Sequence, residues 1–388
     1  MVTIIGNGMG GYNFSNINID ISSFDKVICD KNFNETGTNI VKYNYKDTKE
    51  YIQSNYDKEN ILYIVTGSPY FFSAGILIAQ TIPNNMVTII NNISSQQYIQ
   101  EKLLIANDTL DTFSIHGKEH IDLTKFLTNT YTFIVCDEFS IEKISNGVKY
   151  LQSNDIEVTI GYKLGYDDER IEQIDIFDFN DDTFNLKEPY VLLIKRLFIP
   201  KPTVSDDSDF LTQRGMITKQ YKRQLSLQNL DLKPNQLLWD IGAGSGSCGI
   251  EAFKRYKVRT IFFEKQPQRV EYIQKNLSNH FVLNSTLCIG NAEELFANYK
   301  ESPSRIFIGG GGKKVINKLS YLYERLEENG IILINAITLQ NLSQMITVLD
   351  NENISYEIFS ISLTTYKGDL NLVEPERQLF QIKIYKDS

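Results

Sequence analysis

The chain alternates short, nearly continuous apolar runs with longer stretches in which apolar positions recur at helical spacing. The apolar runs at 2–5, 60–65 and 237–239 predict buried strands of a sheet that is covered on both faces. Helical stretches separate these runs in both halves of the chain. Such alternation of strands and helices predicts an α/β fold.

In the first half, the pattern predicts strands at 2–5, 26–29, 60–65, 87–90, 113–115, 131–136, 158–162 and 190–195, and helices at 71–81, 96–107 and 140–153. The stretch 13–19 is rich in Asn and disfavours a helix. The segment 199–214 has two prolines, a Ser/Asp cluster and no periodicity, so we expect a linker that carries no core residues. It divides the chain into domains at 1–198 and 215–388.

In the second half, the pattern predicts strands at 237–241, 260–263, 285–289, 305–308 and 331–334, and helices at 218–229, 247–253, 266–277 and from the glycine run at 309–312 to 328. Thr338 is expected to cap a further helix. The runs at 356–362 and 380–385 are expected to pair antiparallel at the sheet edge. This order predicts a doubly wound sheet, in which a ligand binds at the carboxyl ends of the strands.

The clearest chemical signal is the strand–turn–helix sequence LLWDIGAGSGSCGIEAF at 237–253. Its glycines permit a tight turn and a close backbone approach to a ligand, and the helix start presents unpaired N–H groups to that ligand. A nicotinamide dinucleotide uses the same arrangement. Asp240 before the turn, and Glu264, whose carboxylate would accept both ribose hydroxyls, favour S-adenosylmethionine (SAM). The motif's candidate cofactor residues are Asp240, Gly242, Ala243, Gly244, Ser245, Gly246 and Glu264.

Further candidates follow the next strands at the same sheet edge. Asn291 is either a turn residue or a partner for an adenine edge, and both interpretations stay open. The glycine run contributes Gly309 and Gly310 as candidate cofactor residues. Ordering four glycines costs much conformational entropy, which favours a functional reason for the run; a flexible loop is the alternative. Asn335 ends the following strand and is a candidate substrate residue.

The net charge of −9 argues against a nucleic-acid partner for the whole surface, so an anionic ligand needs a local basic patch. The candidate cations are Lys219, Lys222, Arg223, Lys313 and Lys314. Lys219 and Arg223 lie four residues apart, on one face of the predicted helix. As a set they predict a polycarboxylate substrate, whereas each alone could be a solvated surface charge.

Histidine and cysteine chemistry is sparse. His116 and His120 lie near a strand end, where a structural role competes with substrate binding by His116. The four cysteines form no C-x-x-C pair, so we expect no metal site and reduced, cytoplasmic thiols. No catalytic triad emerges. The N-terminus carries no signal-peptide pattern and no apolar stretch is long enough to span a bilayer, so we expect no membrane partner.

The turn GNGMGG at 6–11, followed by Asp30, is also compatible with a dinucleotide fold. With TGSPYFFSAG, NNISSQQ and IHGK, however, residues 1–196 resemble the tetrapyrrole methylase family. Met9, Ser68 and Asn91 depart from its usual pattern. The resemblance implies a tetrapyrrole methylase-like α/β domain at 1–198 and an N-terminal SAM site at Gly6, Gly8, Gly10, Gly67, Ser68, Ser94 and Ser95.

The sequences ITKQYKR, LLWDIGAGSGS, FFEKQPQR, GNAEEL, IFIGGGG and NAITL are similar to the decarboxylating methyltransferases of cobalamin biosynthesis. The resemblance covers residues 213–388 and implies a doubly wound, Rossmann-like class I SAM methyltransferase domain. It adds Thr218 and Ala292 to the candidate cofactor site. The two modules would methylate two bridge carbons of a corrin precursor and decarboxylate an acetate side chain.

Two other functions stay open. Class I folds also methylate transfer RNA, which would require an extended basic, aromatic-laced surface. The first domain could instead be a degenerate scaffold beside one active methyltransferase. We expect a homo-oligomer acting on a small tetrapyrrole.

Overall fold

The computed structural model describes residues 1–10, 19–29, 37–118, 121, 123–124, 128–310, 312–367 and 372–386. Asp30, His120, Gly311 and the stretch 13–18 lie outside the described residues. The chain forms two compact units. The N-terminal unit comprises Met1–His120, Lys125–Ile144 and Ser153–Leu197, and the C-terminal unit comprises Ile121–Thr124, Ser145–Gln152 and Phe198–Ser388.

The N-terminal unit begins with a parallel five-stranded sheet of order β3-β2-β4-β1-β5. Its strands are β1 (Val2–Gly6), β2 (Lys26–Cys29), β3 (Ile40–Lys42), β4 (Ile61–Val65) and β5 (Val87–Ile90). Its helices are α1 (Tyr45–Asn55), α2 (Ala74–Ala79) and α3 (Ser95–Leu103). Every residue of β4 is buried, as its unbroken apolar run predicts.

A second five-stranded sheet completes this unit, with order β6-β7-β10-β8-β9. Its strands are β6 (Leu110–Ser114), β7 (Tyr131–Val135), β8 (Ile156–Tyr162), β9 (Arg170–Ile174) and β10 (Tyr190–Arg196). The helix α4 (Ser140–Val148) follows β7. Only β6 and β7 pair in parallel; the other neighbours are antiparallel.

The sequence pattern missed β3, α1 and β9 and made three helices too long. Helix α1 buries only Thr48 and Ile52, so its apolar pattern is weak and its start depends on Asn44, whose side chain accepts the Asp47 N–H. Helix α3 ends early because Leu104 adopts a left-handed conformation, with φ of 56°.

The C-terminal unit contains a seven-stranded sheet of order β13-β12-β11-β14-β15-β19-β16. Its strands are β11 (Leu237–Ile241), β12 (Arg259–Glu264), β13 (Ser285–Ile289), β14 (Arg305–Ile308), β15 (Ile331–Ala336), β16 (Tyr356–Ile361) and β19 (Leu379–Tyr385), and β17 (Thr364–Lys367) pairs with β18 (Leu372–Pro375) in a separate hairpin. Its helices are α5 (Gln220–Asn229), α6 (Ser247–Tyr256), α7 (Pro267–Asn279), α8 (Ala292–Leu295), α9 (Gly312–Ile316), α10 (Leu319–Arg325) and α11 (Leu339–Asn351).

The doubly wound sheet is confirmed, including the antiparallel pair of β16 and β19 at one edge. β11, β12, β13, β14 and β15 run parallel, and β19 runs antiparallel to β15. Because β19 runs the opposite way, its first residue lies at the sheet edge where the parallel strands end. The core includes the fully buried Trp239, which stacks on Phe296 at 5.6 Å between ring centroids.

Two predictions for this unit are wrong. The helix predicted from the glycine run to 328 is divided into α9 and α10, because the chain turns at Asn317 and Lys318. The segment 199–214 is not free of core residues: Phe210 is buried and stacks on His280 at 4.6 Å, and the buried Ser205 donates its N–H to Glu251 at 2.7 Å. We call residues 205–214 the strap.

Among the described residues, no helix is both long and apolar enough to cross a membrane.

Candidate ligand-binding site

A cavity of about 820 Å³ lies in the C-terminal unit where β11, β14 and β15 end and β19 begins. The sequence-predicted residues that line it are Thr218, Lys219, Lys222, Asp240, Gly242, Ala243, Gly244, Ser245, Gly309, Gly310 and Asn335. Its volume is within the range of small-molecule sites. Of the candidates expected at the carboxyl ends of the strands, Asp240, the turn 242–245, Gly309, Gly310 and Asn335 line this cavity, whereas Gly246, Glu264, Asn291 and Ala292 do not.

The glycine turn after β11 and the glycine run after β14 pack backbone against backbone. A Cβ on Gly242 would lie 2.7 Å from the Cα of Gly310, closer than real Cβ contacts. Gly242 also has a φ of 68°, which favours glycine. The glycine run thus has a packing reason: it lets the two turns that line the cavity approach each other.

Asp240 is buried below this turn and accepts the Gly249 N–H of α6 at 3.0 Å. Burial raises the pKa of its carboxyl from 3.8 to about 7, although the hydrogen bond from Gly249 opposes that shift. Its contact fixes the start of α6 against the end of β11.

Glu264 is buried at the end of β12 and does not line the cavity. Its Oε2 accepts the Gly244 N–H at 2.9 Å, while Oε1 accepts the N–H groups of Lys265 and Gln266 at 2.9 and 3.0 Å. The carboxylate therefore holds the glycine turn and the following loop. A carboxylate oxygen offers about two acceptor positions; at Oε2 the Gly244 N–H takes one, and Nη1 of Arg269, a cavity-lining residue, lies 4.0 Å from the same oxygen.

Three cations that line the cavity have partners within the protein. Lys219 lies 3.3 Å from Asp207, and Lys222 lies 2.8 Å from Glu376 and donates to the Arg377 carbonyl at 2.6 Å. Arg269 donates to Gln213 at 2.9 Å. The cavity wall carries Arg214, Lys219, Lys222, Arg269 and Arg377 against the acids Asp240 and Glu376, so its charge is predominantly positive.

The prediction that Arg223 is a free cation beside Lys219 is wrong. Its side chain is fully buried, pairs with the equally buried Glu251 at 3.0 Å and does not line the cavity. The guanidinium also donates to the carbonyls of Thr218 and Ser205 at 2.6 and 2.7 Å. The four-residue spacing does place Arg223 one turn beyond Lys219, but the strap covers it there.

The remaining candidates of the C-terminal site lie off the cavity wall: Gly246, Asn291, Ala292 and Lys313. The Asn291 side chain donates to Glu294 at 3.1 Å, as expected for its alternative as a turn residue. Lys313 is exposed near the start of α9. Asn335 lines the cavity, and its Oδ1 accepts a hydrogen bond from Gln381 at 3.0 Å.

In the N-terminal unit, the turns after β1 and β4 are joined directly. Gly8 and Gly67 exchange both backbone hydrogen bonds, at 3.1 and 3.0 Å, and a Cβ on Gly6 would lie 2.3 Å from the Gly67 carbonyl oxygen. Gly10 packs against Gly165 in the same way. These candidate glycines therefore form one backbone junction.

The candidate serines lie beside this junction. Ser68 donates its hydroxyl to Asn91 at 2.6 Å, so two of the departures from the tetrapyrrole methylase pattern are partners of each other. Ser94 caps α3, which begins at Ser95. His116 is exposed in the turn after β6. A second cavity, of about 510 Å³, lies near the ends of β3 and β4, but none of these candidates lines it.

Sequence reasoning missed Arg214, Arg269 and Arg377 as residues of the C-terminal cavity. Arg377 precedes an antiparallel strand, and the edge at which that strand starts is set by its pairing. Within the described residues, no cluster of three or more His, Cys, Asp or Glu side chains is arranged to hold a metal ion.

Residues 209–386 match a family model described as a precorrin methyltransferase domain. A protein from Methanococcus vannielii named "Probable cobalt-precorrin-6B C(15)-methyltransferase (decarboxylating)" is 30% identical over 161 residues, which cover 41% of this chain and 85% of that protein. A precorrin-6Y C(5,15)-methyltransferase (decarboxylating) from Sinorhizobium sp is 28% identical over 294 residues, which cover 72% of this chain and 68% of that protein. A solved precorrin-6y C5,15-methyltransferase from Geobacter metallireducens GS-15 is 31% identical and covers 48% of this chain and 99% of that one, with a TM-score of 0.46.

Proposed function

Because the chain belongs to the family of decarboxylating precorrin methyltransferases, we propose that it methylates a precorrin tetrapyrrole from SAM and decarboxylates it in cobalamin biosynthesis. The observation that carries the proposal is the glycine turn 242–246 opening into a predominantly positive cavity. The relatives do not favour the RNA methyltransferase alternative.

The residues at the cavity suit SAM. Gly242 and Gly244 have positive φ, and a Cβ on Gly244 would have no atom closer than 3.9 Å, so the turn leaves room for a ligand. SAM supplies a methyl group on an already activated leaving group. We assign its binding to the turn 242–245, Thr218 and Gly309–Gly310, with Glu264 holding the turn and accepting a ribose hydroxyl.

For such a reaction the protein's main contribution is alignment. Methyl transfer to a ring carbon depends on holding donor and acceptor in line. This alignment lowers the activation barrier by several kcal/mol. The macrocycle can take up electrons during decarboxylation, so the chain has to bind the ring and exclude water. We therefore assign no catalytic base to this chain.

We further propose that the N-terminal unit carries a second methyltransferase site of the tetrapyrrole methylase type. Two observations support it: the alignment to the Sinorhizobium protein is longer than the segment 198–388 and so extends into this unit, and the predicted glycine turns meet in one junction. The candidates for this site are Gly6, Gly8, Gly10, Gly67, Ser68, Ser94 and Ser95. The alternative is a scaffold without activity.

The proposal includes a cytoplasmic location, consistent with four free cysteines, and no nucleic-acid partner, consistent with the net charge of −9. A homo-oligomer stays a prediction.

The test is incubation of the full chain with SAM and a late precorrin, with and without cobalt, followed by mass spectrometry. We expect loss of carbon dioxide and two methyl additions. One methyl addition with decarboxylation would support the scaffold alternative for the N-terminal unit. No change in substrate mass, under conditions in which SAM binds, would contradict the proposed function.

A further inference from the structure

Two arginines that line the C-terminal cavity have no ion-pair or hydrogen-bond partner for their guanidinium groups among the described residues. Arg214 ends the strap and Arg377 lies between β18 and β19; both are exposed, and within the described residues neither guanidinium forms an ion pair or hydrogen bond. The other lining cations, Lys219, Lys222 and Arg269, are engaged. We call Arg214 and Arg377 the rim arginines.

The sheet order separates Arg377 from the predicted cofactor turn. That turn follows β11, whereas Arg377 precedes β19, and β14 and β15 lie between these strands. With a strand spacing of about 4.8 Å, β19 lies about 14 Å from β11 across the sheet. The cavity thus continues from the cofactor turn past Asn335 to a second region, which is bordered by Arg377.

Buried contacts fix the backbone beside each rim arginine. Lys222 of α5 is buried, bonds the Arg377 carbonyl at 2.6 Å and pairs with Glu376 at 2.8 Å, so it ties the connection before β19 to α5. Before Arg214, the buried Asn276 of α7 bonds both the N–H and the carbonyl of Leu211, at 2.8 and 3.0 Å. Buried side chains thus hold the backbone, while the two guanidinium groups are not engaged by any residue that the structure describes.

From this arrangement we propose that Arg214 and Arg377 bind peripheral carboxylates of the tetrapyrrole and hold its ring across the β14–β19 part of the cavity. Guanidinium groups match carboxylates in bidentate geometry. Because both arginines line the same cavity from separate segments of the chain, we expect one ring with acidic side chains around its edge to contact both. The inference rests on the proposed function and names the residues that select its substrate.

The experiment uses the full chain and compares Arg214→Gln, Arg377→Gln and Arg377→Lys with wild type. Lys233→Gln is the control, because Lys233 is exposed, does not line the cavity and, among the described residues, forms one ion pair, with Asp231 at 3.8 Å. Two quantities are measured: kcat/KM for the precorrin, and the Kd of uroporphyrin, an eight-carboxylate porphyrin, with S-adenosylhomocysteine present. Calorimetry gives the Kd of SAM for each variant, and thermal unfolding checks its fold.

We expect each Gln variant to lose about 10-fold or more in kcat/KM, through KM, and in uroporphyrin affinity, since each loses a charge-assisted hydrogen bond. The Kd of SAM should stay within about 2-fold of wild type, Arg377→Lys should recover part of the loss, and Lys233→Gln should match wild type. The affinity of wild type for uroporphyrin should also fall with added salt more than that of either Gln variant.

Uroporphyrin binding tests the carboxylate-binding role of the rim arginines separately from the proposed methyltransferase function. A wild type that binds the porphyrin through the rim arginines but does not methylate the precorrin would contradict the proposed function and leave the carboxylate role standing. Wild-type kinetics and porphyrin affinity in both Gln variants would overturn the inference, as would a wild type that binds neither tetrapyrrole. Equal losses in SAM affinity would make the rim arginines part of the cofactor site instead.

Discussion

At the scale of single residues, burial decides what each charged group around the cavity does. Lys222 and Arg223 are consecutive residues of α5. Arg223 is buried under the strap, whereas Lys222 bonds the connection before β19. Within the part of the chain that the structure describes, the Arg377 guanidinium at the rim has no ion pair or hydrogen bond. Their roles differ because a buried charge requires a partner within the protein, whereas an exposed charge is solvated and remains available to bind a ligand.

Asp240 gives a pH-dependent prediction. Its pKa is raised to about 7 by burial, so the folded chain binds a proton more tightly than the unfolded chain does. The protonated carboxyl contributes stability that is fully present below its ordinary pKa of 3.8 and is lost as the pH rises through about 7. We expect the unfolding free energy of wild type to fall relative to Asp240→Asn over this range.

The measurement is urea unfolding followed by the fluorescence of Trp239, the single tryptophan, which reports on the C-terminal unit. Asparagine keeps an oxygen for the Gly249 N–H, so the variant differs mainly in charge. Parallel stability curves for the two proteins would show that Asp240 does not titrate in this range.

Glu264 gives a second prediction. Its carboxylate holds the Gly244 N–H and is proposed to accept a ribose hydroxyl. We expect Glu264→Ala to weaken SAM binding about 10- to 100-fold, since charge-assisted hydrogen bonds contribute about 1.5–3 kcal/mol each. Calorimetry on the full chain measures the affinity, and Glu271→Ala, on the exposed face of α7, is the matched control. An unchanged Kd would remove Glu264 from the cofactor site.

At the scale of elements, the strap shows how a segment without periodicity becomes part of a domain. It contributes few apolar side chains, but its backbone satisfies buried polar groups: Ser205 bonds Glu251 and Arg223, and Leu211 bonds Asn276. The Arg223 contact with the Thr218 carbonyl then links the strap to the cavity wall. The polar network thus orders the entrance to α5 beside the cavity.

The strap gives a third prediction, which replaces substrate capture by Arg223. We expect Arg223→Ala to destabilise the C-terminal unit by about 3–5 kcal/mol, because it leaves the buried Glu251 charge without its partner. Lys219→Ala, at an exposed pair directly before the same helix, should change stability by no more than about 1 kcal/mol. Trp239-detected unfolding measures both. If the Arg223→Ala protein were as stable as wild type and differed only in a raised KM for the tetrapyrrole, Arg223 would be a substrate-binding residue after all.

At the scale of the whole molecule, the two compact units do not divide the chain at a single point. The short segments Ile121–Thr124 and Ser145–Gln152 belong to the C-terminal unit. Asn284 bonds both, with its side chain on the Ile121 carbonyl at 2.7 Å and its N–H on the Gly147 carbonyl at 2.9 Å. A cut at residue 198 therefore removes partners of Asn284.

This gives a fourth prediction. The fragment 198–388 should fold and bind SAM, but its C-terminal unit should be less stable than in the full chain by about 1–3 kcal/mol, the contribution of two lost hydrogen bonds. Trp239-detected urea unfolding compares the two. Asn284→Gly, which accommodates the φ of 51° at this position, should reproduce part of the loss in the full chain and should cost less in the fragment, where the side-chain bond is already absent. Equal stability of fragment and full chain would show that these segments contribute nothing.

The sequence alone determined most of the buried strands and the glycine turn after β11, although it missed β3 and β9. Apolar runs such as 61–65 and 237–241 bury on both faces wherever they occur, and the glycines of 242–246 are required by a turn whose geometry is local. Thr338 likewise caps α11 through a contact three residues away. Signals of this kind depend on near neighbours in the chain, so they can be read without knowing the fold.

Only the tertiary structure decided which charges are free. Arg223 meets Glu251 and Ser205, which lie 28 and 18 residues away, and Lys222 meets Arg377, 155 residues away. Arg377 reaches the cavity because β19 runs antiparallel beside β15, a pairing that brings its start to the edge where the other strands end. Charge, helical spacing and composition are the same for a buried ion pair and a ligand-binding cation; the difference is set by the distant partners that folding supplies.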